Sequence, residues 1–192
     1  SRGLGDVYKR QPIYSFGQGC EGDPLTNAGL LVESVRLFRT GGGRGTVNCN
    51  TNASNPGAVA RLAEAGLTSM RVSCNSAREA LYRRYYRPAD YSFADVRDSI
   101  REARQRGIFV SLNLLFFPGV TDTEEELEAL ARLVGENGVS MIQWRNLNID
   151  PEWYFRLMSG REGSTSPAVP DATLDTAPSM GLTVFMKRLK KL

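Results

Sequence analysis

The sequence predicts an α/β protein whose parallel strands, each followed by a helix, curve into a barrel with a polar interior. Three observations carry that prediction. Short apolar runs alternate with amphipathic stretches along the chain, the pattern that joins parallel strands through right-handed crossovers. Each expected strand has one apolar face and one face of Asn, Ser, Gln or Arg, whereas a doubly wound sheet, covered on both sides, would want apolar residues on both. Finally, 192 residues with 41% hydrophobic and 23% charged side chains suit one well-formed core rather than a disordered chain.

The elements follow in order from Pro12. Ile13–Phe16 is expected as the first strand and Thr26–Arg39 as the first helix. In the next strand, Thr46–Asn50, Val47 and Cys49 oppose Asn48 and Asn50. Asn55 before Pro56 makes an N-cap with proline at the first helical position, and Gly66 closes a helix over Pro56–Ala65. The strand Ser69–Asn75 sets Met70, Val72 and Cys74 against Arg71, Ser73 and Asn75. Tyr82-Arg83-Arg84-Tyr85-Tyr86-Arg87-Pro88 reads either as a partly aromatic surface helix or as a cationic patch facing a ligand. Ser92 and Asp95 form a capping box for Phe93–Arg106, whose Phe93, Val96, Ile100 and Ala103 share a face, with Gly107 at its end. In the strand Ile108–Phe117, Val110, Leu112, Leu114 and Phe116 oppose Phe109, Ser111, Asn113 and Leu115. A helix over Thr123–Asn137 buries Leu127, Leu130, Ala131 and Val134, and Met141–Ile149 is the last strand, with Ile142 and Trp144 opposite Gln143 and Arg145. Ser159–Pro178 reads as a loop, and Leu182–Leu192 as either a strand or a basic amphipathic helix.

Composition removes several function classes. The chain has no histidine, so no Ser-His or Cys-His nucleophile pair and no histidine-ligated metal is available. Cys20, Cys49 and Cys74 form neither a disulfide framework nor a zinc motif, which suits a reducing, cytoplasmic setting. No run approaches the roughly 18 apolar residues of a membrane span, and no signal peptide is expected. Ser1–Gln11 resembles a translated sequencing adapter and is set apart from fold reasoning. With its three cations and one anion removed, the formal charge falls from +3 to +1. Neither value argues for nucleic acid.

Polar side chains facing a barrel lumen need partners, and a polar ligand can supply them where parallel βα units bind ligands, at the carboxyl ends of the strands. The sequence puts Gln18, Glu21, Asp23, Asn50, Asn52, Ser73, Asn75, Asn113, Asn146, Asn148 and Asp150 at those ends. The plainer alternative is that the inward polar residues bond one another and water.

The run Gly19-Cys20-Glu21-Gly22-Asp23-Pro24-Leu25, directly after a strand, resembles the Gly-Gly-Glu-Pro motif of radical S-adenosylmethionine enzymes. Thr51-Asn52-Ala53, Arg71-Val72-Ser73 through Asn75, and Pro118-Gly119-Val120-Thr121-Asp122 resemble the next three strand ends of that fold, in order. The likeness covers about residues 12–154. It implies an incomplete (β/α)6 TIM-like partial barrel over residues 12–158 that lacks its first βα unit, followed by a loop and C-terminal extension over 159–192. It also implies S-adenosylmethionine and a [4Fe-4S] cluster in a full-length parent. There, reductive cleavage of the cofactor yields a deoxyadenosyl radical that abstracts hydrogen from an unknown substrate. An electron donor such as flavodoxin or ferredoxin is implied too.

Carried over by position, Glu21, Gly22, Asp23 and Pro24 would meet the amino group of the cofactor's methionine moiety. Ser73 and Asn75 would approach its ribose or carboxylate, Asn113 through Gly119 would line its adenine side, and Asn52 is a further cofactor-binding candidate. Arg83, Arg84 or Arg87 would pair with the carboxylate, Arg84 being the chosen candidate. Gln143, Arg145, Asn146 and Asn148 are candidates for the substrate. Asp23 stands where the family usually has Glu. The family's C-x3-C-x2-C cluster motif is not present, so the cluster is not expected in this chain, and the expectation is a fragment cut at the adapter junction. Two other readings remain: a non-catalytic barrel that binds a ligand, and a cofactor-independent barrel lyase. The lyase is disfavoured because the expected lumen strands carry no Lys.

Overall fold

A computed structural model of the chain describes residues 12–17, 22–146, 149–160 and 178–191. Its centre is a five-stranded parallel sheet in the order β1-β2-β3-β4-β5, formed by Ile13–Phe16, Thr46–Thr51, Ser69–Cys74, Phe109–Leu115 and Met141–Arg145. Because spatial order follows chain order without reversal, every right-handed crossover returns over the same face of the sheet. A doubly wound sheet would reverse partway. Helices therefore cover one face only, and the other is the lumen of a partial TIM-like barrel.

The helices are α1 (Ala28–Thr40), α2 (Pro56–Ala65), α3 (Glu79–Tyr86), α4 (Phe93–Gln105), α5 (Glu124–Asn137), α6 (Pro151–Met158) and α7 (Leu182–Leu189). Their ends obey local chemistry. Asn55 Oδ1 accepts from the Ala58 N–H, and Gly66 takes a left-handed φ of 111° that closes α2. Ser92 and Asp95 form the reciprocal capping box of α4. Thr123 caps α5, and Gly138 ends it with φ 68°. At the head of α1, Pro24–Asn27 winds as a 3-10 turn before the α-helix begins.

One continuous core joins the outward strand residues Val47, Cys49, Met70, Val72, Val110, Leu112 and Leu114 to Leu31, Val35, Leu62, Ile100 and Leu130 of the helices. In α5 the buried stripe runs through Leu127, Leu130 and Leu133, while the expected Ala131 and Val134 are only half-buried. On the lumen side the register sets Asn50 beside Arg71, Arg71 beside Ser111, Ser73 beside Asn113, and Asn113 beside Gln143. The polar residues thus stack in layers.

Three segments depart from expectation. The last strand ends at Arg145, not Ile149, where its pairing with Leu115 of β4 runs out. Asp150 then caps α6, with Pro151 at the first helical position. The arginine–tyrosine run is helix α3, which buries Leu81 and Tyr82. The C-terminal piece is a helix, α7, whose fully buried Phe185 meets Trp144 edge-on at 5.7 Å. Ser1–Gln11 and most of the expected 159–178 loop lie outside the described residues.

Candidate functional site

The turn after β1 is built first. Gly17 has φ +75° and lies so close to β2 that an added Cβ would sit 2.3 Å from the Asn50 carbonyl oxygen, so only glycine fits. Asn50 Nδ2 donates to the Gly17 carbonyl at 3.0 Å. Asp23 then ties the returning chain to the end of β2. Its carboxylate accepts from the Leu25 N–H at 2.9 Å, the Thr51 hydroxyl at 2.8 Å and the Asn52 N–H at 2.5 Å. Asp23 is thereby committed to the protein, and its side chain is an anchor.

These contacts shape a cavity of about 770 Å³ at the carboxyl ends of the strands. Of the residues expected there, Gly22, Asp23, Asn50, Asn52, Ser73, Asn75, Asn113, Arg145 and Asn146 line it. Pro24 packs behind Gly17, and Gln143 is reached through Arg71. Glu21 and Asn148, like Gln18 and Cys20, lie outside the described residues. Asp150 is spent on the α6 N-cap.

Arg84 is not among the lining residues; its guanidinium donates to the Met158 carbonyl at the end of α6. The reason is the helical phase of α3, which turns Tyr85 and Tyr86 to the cavity instead. The sequence assigned no site role to these two rings, and it placed Thr51 and Arg71 only within the strand-end segments. Arg71 had a visible signal, its place on the inward face of β3.

Hydrogen bonding differs between the two sides of the lumen. Beside β1 the polar groups satisfy one another: Asn48 Nδ2 donates to the Ser15 hydroxyl at 2.9 Å and to Asn50 Oδ1 at 3.0 Å, and Ser69 donates to Asn48 Oδ1 at 2.9 Å. Farther across, pairing is incomplete. Asn75 Nδ2 donates to the Leu81 carbonyl at 3.1 Å, yet its buried Oδ1 has no partner among the described residues. Arg71 donates to Gln143 Oε1 at 3.3 Å while its buried Nε has none. Unpaired buried polar atoms cost free energy, and two of them belong to residues of the cavity wall.

The residues present suit one of the two groups that the resemblance implies. S-adenosylmethionine fits: the cavity is within the roughly 300–1,000 Å³ of ligand pockets and offers unpaired hydrogen-bonding atoms to a polar molecule. The cluster does not fit the described residues. Burial pushes the Cys49 and Cys74 thiols up to about 12, so neither is a thiolate, and both face the core. Among the described residues no three His, Cys, Asp or Glu side chains are grouped to hold a metal.

The Radical SAM superfamily family model matches residues 11–134. The chain belongs to the radical SAM superfamily. Solved radical SAM proteins share its fold. A domain of pyruvate-formate lyase-activating enzyme from Bacteroides vulgatus is 11% identical with a TM-score of 0.55, over 78% of this chain and 91% of that one. Coproporphyrinogen III oxidase from Escherichia coli is 15% identical with a TM-score of 0.54, over 76% and 34%. A radical S-adenosylmethionine methyltransferase from Kitasatospora setae, with cobalamin and a [4Fe-4S] cluster bound, is 21% identical with a TM-score of 0.51, over 70% and 27%. This radical SAM chain thus spans well under half the length of the methyltransferase and the oxidase. No curated protein sequence matches it. Among its described residues, no helix is long and apolar enough to cross a membrane.

Proposed function

We propose that this chain is the cofactor-binding barrel of a radical SAM enzyme and that it holds S-adenosylmethionine in the cavity at the strand ends. The supporting observation is that cavity of about 770 Å³, walled by hydrogen-bonding groups that the protein leaves partly unpaired. Residues 12–158 form its barrel, with α7 laid against it.

In this reading each wall residue has a task. The Gly22–Pro24 segment offers backbone carbonyls to the ammonium of the methionine moiety, because the Asp23 carboxylate is already engaged. Asn52 and Ser73 bind the ribose, and Asn113 the adenine side. Asn75 Oδ1 accepts from the nucleoside, fixed in direction by its bond to the Leu81 carbonyl. Gln143, Arg145 and Asn146 face the substrate. When bound, the cofactor supplies radical chemistry, hydrogen abstraction from a substrate, under one-electron reduction from a flavodoxin- or ferredoxin-type donor. The described residues gather no cluster ligands, so the reduction itself is assigned to none of them.

The test is calorimetric titration of the full chain with S-adenosylmethionine, beside thermal unfolding. Saturable binding is expected, with about 2.7 kcal/mol of added stability at a hundredfold excess over Kd. Ser73→Ala and Asn113→Ala should each weaken it about fivefold, the worth of one ordinary hydrogen bond. A chain that melts cooperatively and shows no heat or stabilisation with millimolar ligand overturns the proposal.

A further inference from the structure

The inward faces of β2 to β5 carry two arginines and no acid. Arg71 rises from β3 one inward position deeper than Ser73 and touches Gln143 of β5. Arg145, at the end of β5, donates through Nε to Asn113 Oδ1 at 3.1 Å. Both guanidinium groups open on the same cavity. Asp23, the one acid among the described wall residues, is held by three donors from its own turn and the end of β2. The proximity of the two arginines has an electrostatic signature: the Arg71 pKa is lowered, first by burial and then by the charge of Arg145. Two like charges converging in a half-desolvated space destabilise the empty protein, and an anion between them reverses the sign of that interaction.

We propose that Arg71 and Arg145 form an anion subsite that binds a carboxylate of the substrate. Planar guanidinium forks match a carboxylate two bonds at a time, and Arg71 and Arg145 both line the cavity. Gln143 and Asn113 act as positioning residues, each holding one guanidinium. The inference rests on the cofactor reading and deepens it. S-adenosylmethionine has a carboxylate of its own, but the turn proposed for its methionine end adjoins β1 and β2, while Arg145 is on β5 at the other edge of the sheet. The substrate class is therefore an organic acid or amino acid whose carboxylate enters beside the cofactor.

The experiment uses the full chain saturated with S-adenosylhomocysteine, titrated with N-acetylglycine and, as the neutral match, N-acetylglycinamide. The acid should bind and the amide should not. Arg71→Gln should weaken the acid about tenfold or more and leave S-adenosylhomocysteine within about twofold. Arg145→Gln, at an exposed position, should do the same and serves where Arg71→Gln fails to fold. Equal behaviour of acid and amide overturns the proposal. It also falls if Arg71→Gln weakens S-adenosylhomocysteine tenfold while 5′-methylthioadenosine, which lacks the carboxylate, binds as before; the pair then serves the cofactor. If S-adenosylhomocysteine does not bind at all, the cofactor reading fails, and acid-selective binding by the chain alone still upholds the arginine subsite.

Discussion

Glu126 is a carboxylate with no exposed side-chain surface. It accepts from the Ser76 hydroxyl at 2.5 Å, the Ala77 N–H at 2.6 Å and Arg78 Nε at 3.2 Å. Burial pushes its pKa up, and these three donors oppose the rise. Together they fasten the loop after β3 to α5 and so hold Asn75 in the cavity wall. Glu126→Ala leaves two buried donors and a half-covered guanidinium without their acceptor, the costly way to break such a pair. The expected loss is about 3–5 kcal/mol, read as a lower urea midpoint with an unchanged slope. A loss under about 1 kcal/mol would mean that the loop holds itself. Arg39 does similar work behind the sheet, donating to the carbonyls of Gly43, Gly45 and Gly66 and so joining the ends of α1 and α2.

At the scale of elements, the features legible in sequence are those with local causes. The α2 boundaries follow from Asn55, Pro56 and Gly66, and the α4 start from Ser92 and Asp95, because caps are made within one turn. Strand faces were legible too, since period-two alternation is local, and it brought Ser73, Asn75 and Asn113 to one cavity. What was not legible depends on distant partners. The end of β5 is set by where β4 stops, the state of α7 by its seat on Trp144, and the direction of Arg84 by how α3 packs on α6. The α4 cap also carries a pH prediction. Hydrogen bonds from the Ser92 side chain and backbone N–H lower the Asp95 pKa below its ordinary 3.8. A depressed folded value means that the ionised cap stabilises the fold above the unfolded pKa and that this is lost as pH falls through the folded one. Asp95→Asn should therefore melt below the wild type at neutral pH, with the gap closing in acid below 3.8. Melts followed by circular dichroism down a pH series check it; a gap independent of pH would assign the effect to something other than the charge.

For the whole molecule, the described sheet ends in two edge strands, β1 and β5. At β5, Trp144 meets Phe116 and Phe185, and Phe185 brings α7 against the outer face. Among the described residues, β1 bonds to β2 alone, and Ile13 and Tyr14 are 71% and 43% exposed. Natural edge strands are blunted by charge, proline or a covering element, and Ile13–Phe16 contains no charge and no proline. Among the described residues the outer N–H and C=O groups of β1 have no strand partner, so this edge can template pairing with a second chain, and the exposed Ile13 adds apolar surface to that contact. The full chain should self-associate with rising concentration in sedimentation velocity. Ile13→Lys places a charge on this edge at a position with little burial to lose, so it should shift the distribution to monomer while changing stability by no more than about 0.5 kcal/mol. Saturating S-adenosylmethionine should leave the association unchanged, because the cavity opens at the strand ends and not along the β1 edge. Association of the Ile13→Lys chain equal to that of the wild type would show that the copies meet through another surface.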